Sequence, residues 1–210
     1  MLFRSPNESW DYDNVAQITT ADLEIHGQKR HVVMQAPKNG FFYVLDARSG
    51  ELLSADPYVA DVNWASGVDL KTGRPKVNPA ANYSKTGKGA FVSPFYGGAH
   101  LWPPMSFSPK TGLMYIPARD RANMATVNES AEFEAGKLFT GGSFPAIRDR
   151  PPTGLLAAVD PSTGKVKWQA TTPTWTWSGT LATAPDAMIG PSARTCAGNS
   201  SAFTAAFTAE

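Results

Sequence analysis

A β-hairpin is predicted by the segment Leu156-Ala157-Ala158-Val159-Asp160-Pro161-Ser162-Thr163-Gly164-Lys165-Val166-Lys167-Trp168. An apolar run comes first, an Asp-x-x-Thr-Gly turn follows it, and a second run ends in a tryptophan. The turn aspartate can accept hydrogen bonds from backbone amides, and the glycine supplies the positive φ of a tight hairpin. We therefore expect two antiparallel strands here, with Trp168 packed between adjacent sheets.

The same hairpin pattern recurs along the chain. Phe42–Glu51 and Val68–Arg74 are two further copies, and Phe107–Leu113 is a degenerate copy with serine in place of the aspartate. The spacing between the turn glycines of the four copies is uneven, so the repeat is irregular. Repeated hairpins of this kind suggest the blades of a β-propeller, and a set of unrelated hairpins is the alternative.

The rest of the chain also favours an all-β fold. Its 18 glycines and 17 prolines fall between short runs rich in β-branched and aromatic residues, as in proteins with many strands and turns. No long window has a helical period, although Ala131–Leu138 is predicted to form a short helix. The expected strands are His31–Gln35, Phe41–Asp46, Leu113–Pro117 and Leu155–Asp160.

Composition excludes several classes of function. The chain has 210 residues and a net charge of +1, which argues against a nucleic acid or an anionic membrane as partner. No apolar run approaches the ~20 residues of a membrane helix, and the segment Met1–Asn7 has no signal-peptide character. The single cysteine, Cys196, excludes internal disulfides, thiolate zinc sites and Cys-x-x-Cys-His haem attachment. The three histidines are scattered without ligand spacing, so we interpret them as surface or core residues.

Three charged residues carry the chemical signal. The segment Ser9-Trp10-Asp11-Tyr12-Asp13 places two carboxylates one residue apart beside aromatic side chains. Such carboxylates can share one hard cation, and one of them can act as a base. Lys38 stands just before the turn Asn39-Gly40 and a strand that reads as buried. Turn or cap aspartates and a solvated turn lysine are the alternative interpretations.

These segments, together with three others, resemble the pyrroloquinoline quinone (PQQ)-dependent alcohol dehydrogenases, the quinoprotein propellers. The resemblance covers roughly residues 4–184, with the segments in the family's order. The carrying segments are Trp10–Asp13, Lys38–Asp46, Val62–Asp69, Gly97-Gly98-Ala99-His100-Leu101-Trp102-Pro103-Pro104-Met105-Ser106 and Trp177–Thr183.

The resemblance implies an all-β chain that forms part of an eight-bladed propeller with PQQ and a metal ion on its axis. At roughly 40 to 50 residues per blade, this chain can supply about three to four blades. The expected domains are a partial propeller over residues 1–184 and an unmatched tail over 185–210, which is disordered or arises from a frameshift. The chain is expected to be a fragment or a truncated reading frame.

The resemblance also implies roles for individual residues. Asp11 matches the catalytic base, and Asp11 with Asp13 would bind the metal, calcium or a lanthanide, with Asp13 as in the lanthanide-using members. Lys38 matches a catalytic cation beside the quinone oxygens, where it also contacts the cofactor. Trp102 and Trp177 match aromatic positions at the PQQ ring or pocket, with core packing between blades as the alternative for Trp102. Leu101 departs from the family, in which a polar amide is expected.

The implied function is oxidation of primary alcohols to aldehydes with hydride transfer to metal-bound PQQ. The implied partners are a small alcohol and an electron acceptor such as a cytochrome c or a quinone, and the complete family member would be periplasmic. The alternative is a propeller fragment or binding scaffold without activity of its own. The isolated chain is expected to be inactive, and its open sheet edges could mediate oligomerisation. The choice of alcohol and of metal stays open.

Overall fold

The computed structural model describes residues 9–145, 147, 153–172 and 177–182, and the backbone of 188–189. The predicted tail over 185–210 therefore lies almost wholly outside the described residues. Fifteen β-strands account for most of the regular structure within the described part. They are β1 Thr19–Ile25, β2 Gln28–Gln35, β3 Phe41–Asp46, β4 Leu52–Pro57, β5 Ala65–Val68, β6 Pro75–Val77, β7 Ala90–Val92, β8 Ser106–Ser108, β9 Leu113–Asp120, β10 Asn123–Val127, β11 Gly142–Ser143, β12 Thr153–Asp160, β13 Lys165–Thr172, β14 Leu181–Ala182 and β15 Met188–Ile189.

Helical structure is minor among the described residues. It consists of the four-residue helix α1, Tyr83–Thr86, and a single 3₁₀ turn over Pro79–Ala81. No helix in this part of the chain has the length and apolar character needed to cross a membrane. The all-β expectation is confirmed, and the four predicted strands are all present as β2, β3, β9 and β12.

The strands form antiparallel sheets of the size of propeller blades. One four-stranded sheet has the order β1-β2-β3-β4, and a second has the order β13-β12-β9-β8. Between β9 and β12 the chain leaves the second sheet to form β10 and β11, which join β7 in a three-stranded sheet. Two hairpins, β5-β6 and β14-β15, complete the described sheets. A four-stranded antiparallel meander is the unit from which propellers are assembled.

Side chains alternate between two buried faces in the central strands. In β3, Phe42 and Val44 belong to the core between the two four-stranded sheets, whereas Phe41 and Tyr43 face a second core. In β12 the same alternation sends Leu156 to a third cluster, which includes Tyr115 and packs against Trp168 and Ala182. Because successive side chains of a strand point to opposite faces, a strand buried on both faces must be apolar throughout. The central strands β3 and β12 are therefore packed on both faces, whereas the outer strands β1 and β13 each expose one face.

The four recurrent turns have one geometry. In each, the glycine amide donates a hydrogen bond of 2.8–2.9 Å to the carbonyl oxygen of the aspartate or serine four positions earlier. The glycine has a φ of 68° or 74°. Asp160 Oδ1 accepts hydrogen bonds from the amide and hydroxyl of Ser162, at 2.9 and 2.6 Å. Asp46 and Asp69 bond their own turns in the same way. The predicted Asp-x-x-Ser/Thr-Gly hairpins are thus confirmed.

The helix predicted over Ala131–Leu138 is wrong. This segment contains a turn in which the Lys137 amide donates to the Glu134 carbonyl, and Gly136 has a φ of 84°. Phe133 and Leu138 are 73% and 93% exposed, so the segment has no core face to bury. A short helix in water depends on such packing, because its nucleation is costly.

Candidate functional site

Two aromatic side chains anchor the segment that carries the paired aspartates. Trp10 is 2% exposed and donates from Nε1 to the carbonyl oxygen of Ala81 at 2.8 Å. Tyr12 is 8% exposed, and its hydroxyl donates to the carbonyl oxygen of Pro94. Both rings contact the buried ring of Trp64, with centroids at 5.2 and 5.5 Å. With the two aromatic rings buried, Asp11 between them and Asp13 after them direct their side chains outward.

The outward carboxylates converge on the ammonium of Lys38. Its Nζ donates to the Asp11 carbonyl oxygen at 2.7 Å, to Asp11 Oδ2 at 3.0 Å and to Asp13 Oδ1 through a short contact. The Lys38 side chain is only 8% exposed, whereas those of Asp11 and Asp13 are 65% and 54% exposed. A buried ammonium is costly unless it is paired, and these three oxygens supply the pairing. The structure therefore brings together the three charged residues singled out from the sequence.

Lys38 lies on a turn whose backbone is held from several directions. The carbonyl groups of residues 37–40 each accept a hydrogen bond from another part of the chain, and the carbonyl oxygen of Ala36 lies 2.6 Å from Nδ1 of His100. The donors are the Tyr58 hydroxyl for Pro37, the Ala99 amide for Lys38, Trp64 Nε1 for Asn39 and the Tyr58 amide for Gly40. Burial raises the pKa of Tyr58 well above its ordinary value, so the phenol stays protonated and can donate.

Gly98 packs directly on the stem of Lys38. A Cβ at Gly98 would lie 2.4, 2.5 and 2.6 Å from Lys38 Cγ, Cβ and Cα, and Gly98 has a φ of 75°. Only glycine combines that conformation with such a close approach. Sequence reasoning quoted this glycine as part of a motif but gave it no role. The pair Gly97-Gly98 was the sequence feature that could have indicated a close backbone contact at this position.

Trp102 and Trp177 form a second, aromatic part of the site. Their rings stack with centroids 5.7 Å apart at an interplanar angle of 19°, and they are 54% and 50% exposed. Half-exposed indole rings can offer a flat surface to a ligand. Trp102 belongs to the same loop as Gly98, so this loop joins the aromatic pair to the Lys38 turn.

Arg119 was missed by sequence reasoning. Its guanidinium carbon lies 4.2 Å from the centroid of the Trp177 ring, a cation–π contact. The residue is 3% exposed, and burial lowers its pKa from the ordinary value, although an arginine remains charged in proteins. No local pattern distinguishes this arginine in the sequence.

His100 is a buried connector between two loops of the site. Its Nδ1 lies 2.6 Å from the carbonyl oxygen of Ala36, and its Nε2 lies 2.7 Å from that of Pro103. Burial lowers the pKa of His100, with the nearby Arg119 adding to the effect and the two carbonyl contacts opposing it. His26 and His31 are exposed, so the interpretation of the histidines as surface or core residues is confirmed.

The oxygen atoms around the Lys38 ammonium fit part of a metal site. Asp11 contributes a carboxylate and a carbonyl oxygen, Asp13 contributes a carboxylate, and all of them reach one cationic centre. Hard cations such as calcium prefer this type of donor. No group of three or more His, Cys, Asp or Glu side chains with metal-site geometry occurs among the described residues. A six- to eight-coordinate ion would thus need further ligands besides these.

Comparison with known proteins gives a consistent result. The family described as "Glucose/ethanol/alcohol dehydrogenase, beta-propeller domain" matches residues 6–55, which include Asp11, Asp13 and Lys38. The quinohemoprotein alcohol dehydrogenase ADH IIB of Pseudomonas putida is 45% identical over 86% of this chain and 26% of its own length. The dehydrogenase subunit of an alcohol dehydrogenase (quinone) from Komagataeibacter europaeus is 55% identical over 55% of this chain and 15% of its own length.

Solved structures agree with the sequence relatives. The quinohemoprotein alcohol dehydrogenase ADHIIG from Pseudomonas putida HK5 superposes with a TM-score of 0.77 at 37% identity, over 88% of this chain and 29% of its own. A europium-containing methanol dehydrogenase superposes with a TM-score of 0.77 at 31% identity, over 87% of this chain and 32% of its own. The present chain thus spans about a third or less of the length of these proteins.

The blade-like sheets and the likeness to these structures define the chain as part of a quinoprotein-type β-propeller, which confirms the predicted fold. Within that class, the chain is similar to the PQQ-dependent alcohol dehydrogenases and spans about a third or less of the length of the relatives that it matches. The family resemblance inferred from the sequence is confirmed.

Proposed function

We propose that this chain carries one side of the active site of a PQQ-dependent dehydrogenase that oxidises primary alcohols to aldehydes. The observation that carries the proposal is the convergence of Asp11 and Asp13 on the ammonium of Lys38. A base, a pair of oxygen ligands and a cation within hydrogen-bond distance of one another are the parts that this oxidation needs. A non-catalytic scaffold has no need of this arrangement.

Asp11 is proposed as the general base. Alcohol oxidation removes a hydride from carbon and a proton from the hydroxyl group, and the Asp11 carboxylate takes the proton. Its carboxylate is 65% exposed, so an alcohol can reach it, while the buried rings of Trp10 and Tyr12 fix the backbone on either side. When bound, PQQ supplies the hydride acceptor, and a metal ion supplies Lewis-acid polarisation of the acceptor carbonyl.

Lys38 is proposed to stabilise negative charge on the quinone oxygens. A fixed cation contributes most when its position does not depend on reorganisation during the reaction. The hydrogen bonds to the carbonyls of residues 37–40 meet that condition, because they hold the backbone from which the lysine extends.

Trp102 and Trp177 are proposed to contact the cofactor ring or line its pocket. Their stacked rings form a continuous aromatic surface that is half exposed. Leu101, next to Trp102, has no hydrogen-bonding side chain, so a side-chain bond to the cofactor is not proposed at that position.

The finer features of the proposal follow the relatives. We propose calcium or a lanthanide as the metal at Asp11 and Asp13, a small alcohol as substrate, and a cytochrome c or a quinone as electron acceptor. We propose the periplasm as the location of the complete protein. We also propose that residues 1–184 form the propeller part, that residues 185–210 lie outside it, and that open sheet edges lead the isolated chain to oligomerise.

The test uses a full-length dehydrogenase that contains these segments. Asp11→Asn should abolish turnover, because an amide cannot accept the alcohol proton, and kcat is measured with a dye acceptor in the presence of PQQ and each metal. Asp22→Asn is the matched control, since the Asp22 side chain is 87% exposed on β1 and should be replaceable without loss. Near-normal kcat in the Asp11→Asn enzyme would show that the base is elsewhere.

The metal assignment has its own experiment in the same enzyme. Asp13→Ala removes one anionic ligand, and a trivalent ion depends more on anionic ligands than a divalent one. We expect lanthanide-dependent activity to fall far more than calcium-dependent activity when each metal is titrated. Equal loss with both metals, or no loss with either, would mean that Asp13 is not a metal ligand.

A further inference from the structure

The proposed metal ligands are already engaged by a cation of the chain itself. Lys38 Nζ donates hydrogen bonds to the Asp11 carbonyl oxygen at 2.7 Å and to Asp11 Oδ2 at 3.0 Å, and it makes a short contact with Asp13 Oδ1. These are the same oxygens that would face a metal ion. An ammonium and a divalent or trivalent ion bound to the same oxygens would lie close together and repel strongly.

The stem of Lys38 limits where its ammonium can go. Gly98 packs against the α, β and γ carbons of Lys38, and the Lys38 carbonyl oxygen accepts a hydrogen bond from the Ala99 amide. Motion is therefore left to the end of the side chain beyond Cγ. An ammonium that leaves Asp13 stays at the site, where it can meet an anionic oxygen of a second ligand.

We propose that Lys38 is a displaceable internal counter-ion: its ammonium fills the cation position between Asp11 and Asp13 and must leave Asp13 before a metal ion binds there. This inference rests on the proposed role of Asp11 and Asp13 as metal ligands. It adds that metal binding and the position of the catalytic lysine are coupled. By linkage, anything that draws the ammonium away from Asp13 strengthens metal binding by the same factor.

The first experiment measures terbium(III) binding to the whole 210-residue chain by tryptophan-sensitised luminescence, since Trp10 adjoins Asp11. Lys38→Met keeps an unbranched side chain, one heavy atom shorter, and removes its charge. We expect it to tighten terbium binding by about tenfold or more, within the usual range of coupling between sites. Lys165→Met is the matched control, because Lys165 also pairs with a carboxylate, that of Asp56, and should leave binding unchanged.

The outcomes separate the inference from the proposed function. Asp11→Asn with Asp13→Asn should abolish sensitised binding, and wild-type affinity in that double variant would overturn the metal assignment together with the inference. If the double variant loses binding but Lys38→Met binds as the wild type does, the inference alone is overturned. Absence of sensitised binding in both wild type and Lys38→Met would also overturn both.

A second measurement does not depend on the Lys38→Met variant folding. Lanthanum(III) is added to the wild-type chain, and the side-chain resonances of its lysines are followed by NMR. The Lys38 signal should move as the metal binds, and the Lys165 signal should not. An unmoved Lys38 signal at saturating lanthanum would overturn the inference.

Discussion

At the scale of single residues, backbone strain coincides with the proposed base. Asp11 has a φ of 64°, which is uncommon for a residue other than glycine and least costly for aspartate and asparagine. Both the carboxylate and the carbonyl oxygen of this residue contact Lys38. Strained conformations persist where the surroundings determine them, and here the buried rings of Trp10 and Tyr12 hold both neighbouring positions.

Gly98→Ala tests the close approach to Lys38. Gly98 and Gly50 have nearly the same φ, 75° and 74°, but a Cβ would collide with Lys38 at the first and meet nothing within 4 Å at the second. Gly50→Ala should cost about 1–2 kcal/mol for the left-handed conformation, and Gly98→Ala about 1–3 kcal/mol more for overpacking. Urea unfolding of both variants measures the difference. Equal destabilisation would show that the Gly98 contact is not tight.

Asp46 should make stability depend on pH. Hydrogen bonds, led by that from the Ser49 amide and opposed in part by burial, lower its pKa to about 2. Since the pKa is lower in the folded state, the stabilisation is complete above the unfolded value of about 4 and is lost as the pH falls through about 2. The wild type should therefore lose stability between pH 5 and pH 2, whereas the Asp46→Asn variant should not lose this contribution. The difference between their free energies of unfolding should shrink over that range. A constant difference over that range would contradict the assignment.

At the scale of elements, the doubly buried strands carry the packing. Leu156 in β12 is 2% exposed and lies in the cluster with Tyr115 and Ala158, whereas Leu138 is 93% exposed. Leu156→Ala should lower the free energy of unfolding by about 2–5 kcal/mol through lost burial and a cavity. The same substitution at Leu138 should change it by less than about 0.5 kcal/mol. Chemical denaturation of the two variants compares them directly.

At the scale of the whole molecule, the length of the chain governs what it can do alone. It spans 26% of ADH IIB of Pseudomonas putida, so most of such a protein lies outside it. Cofactor pockets enclose most of their ligand, and the residues proposed here contact it from one side.

We therefore expect the isolated chain to bind PQQ weakly and to show no dye-linked alcohol oxidation. Titration calorimetry with PQQ and a dye-reduction assay with calcium or a lanthanide measure the two properties. ADH IIB of Pseudomonas putida, assayed alongside, is the positive control. Robust turnover by the purified monomeric chain would overturn this expectation and the view that the site needs a second side.

The sequence by itself determined the local geometry of this protein. The Asp-x-x-Ser/Thr-Gly turns are set by bonds between residues at most four positions apart, so Asp160 and Gly164 specify their hairpin wherever it lies. The apolar run of β3 likewise indicated a buried strand, as the structure shows. The short helix failed for the complementary reason: local preference over Ala131–Leu138 had no packing surface to support it.

Only the tertiary structure decided how the site is assembled. Lys38 meets carboxylates that lie 27 and 25 positions earlier, and that meeting depends on Trp10 and Tyr12 docking against Trp64. The close packing of Gly98 on Lys38 and of Arg119 on Trp177 also joins separate elements. Such contacts are fixed by how sheets and loops stack, because a residue's chemical type says what it can bind but not which distant group will reach it.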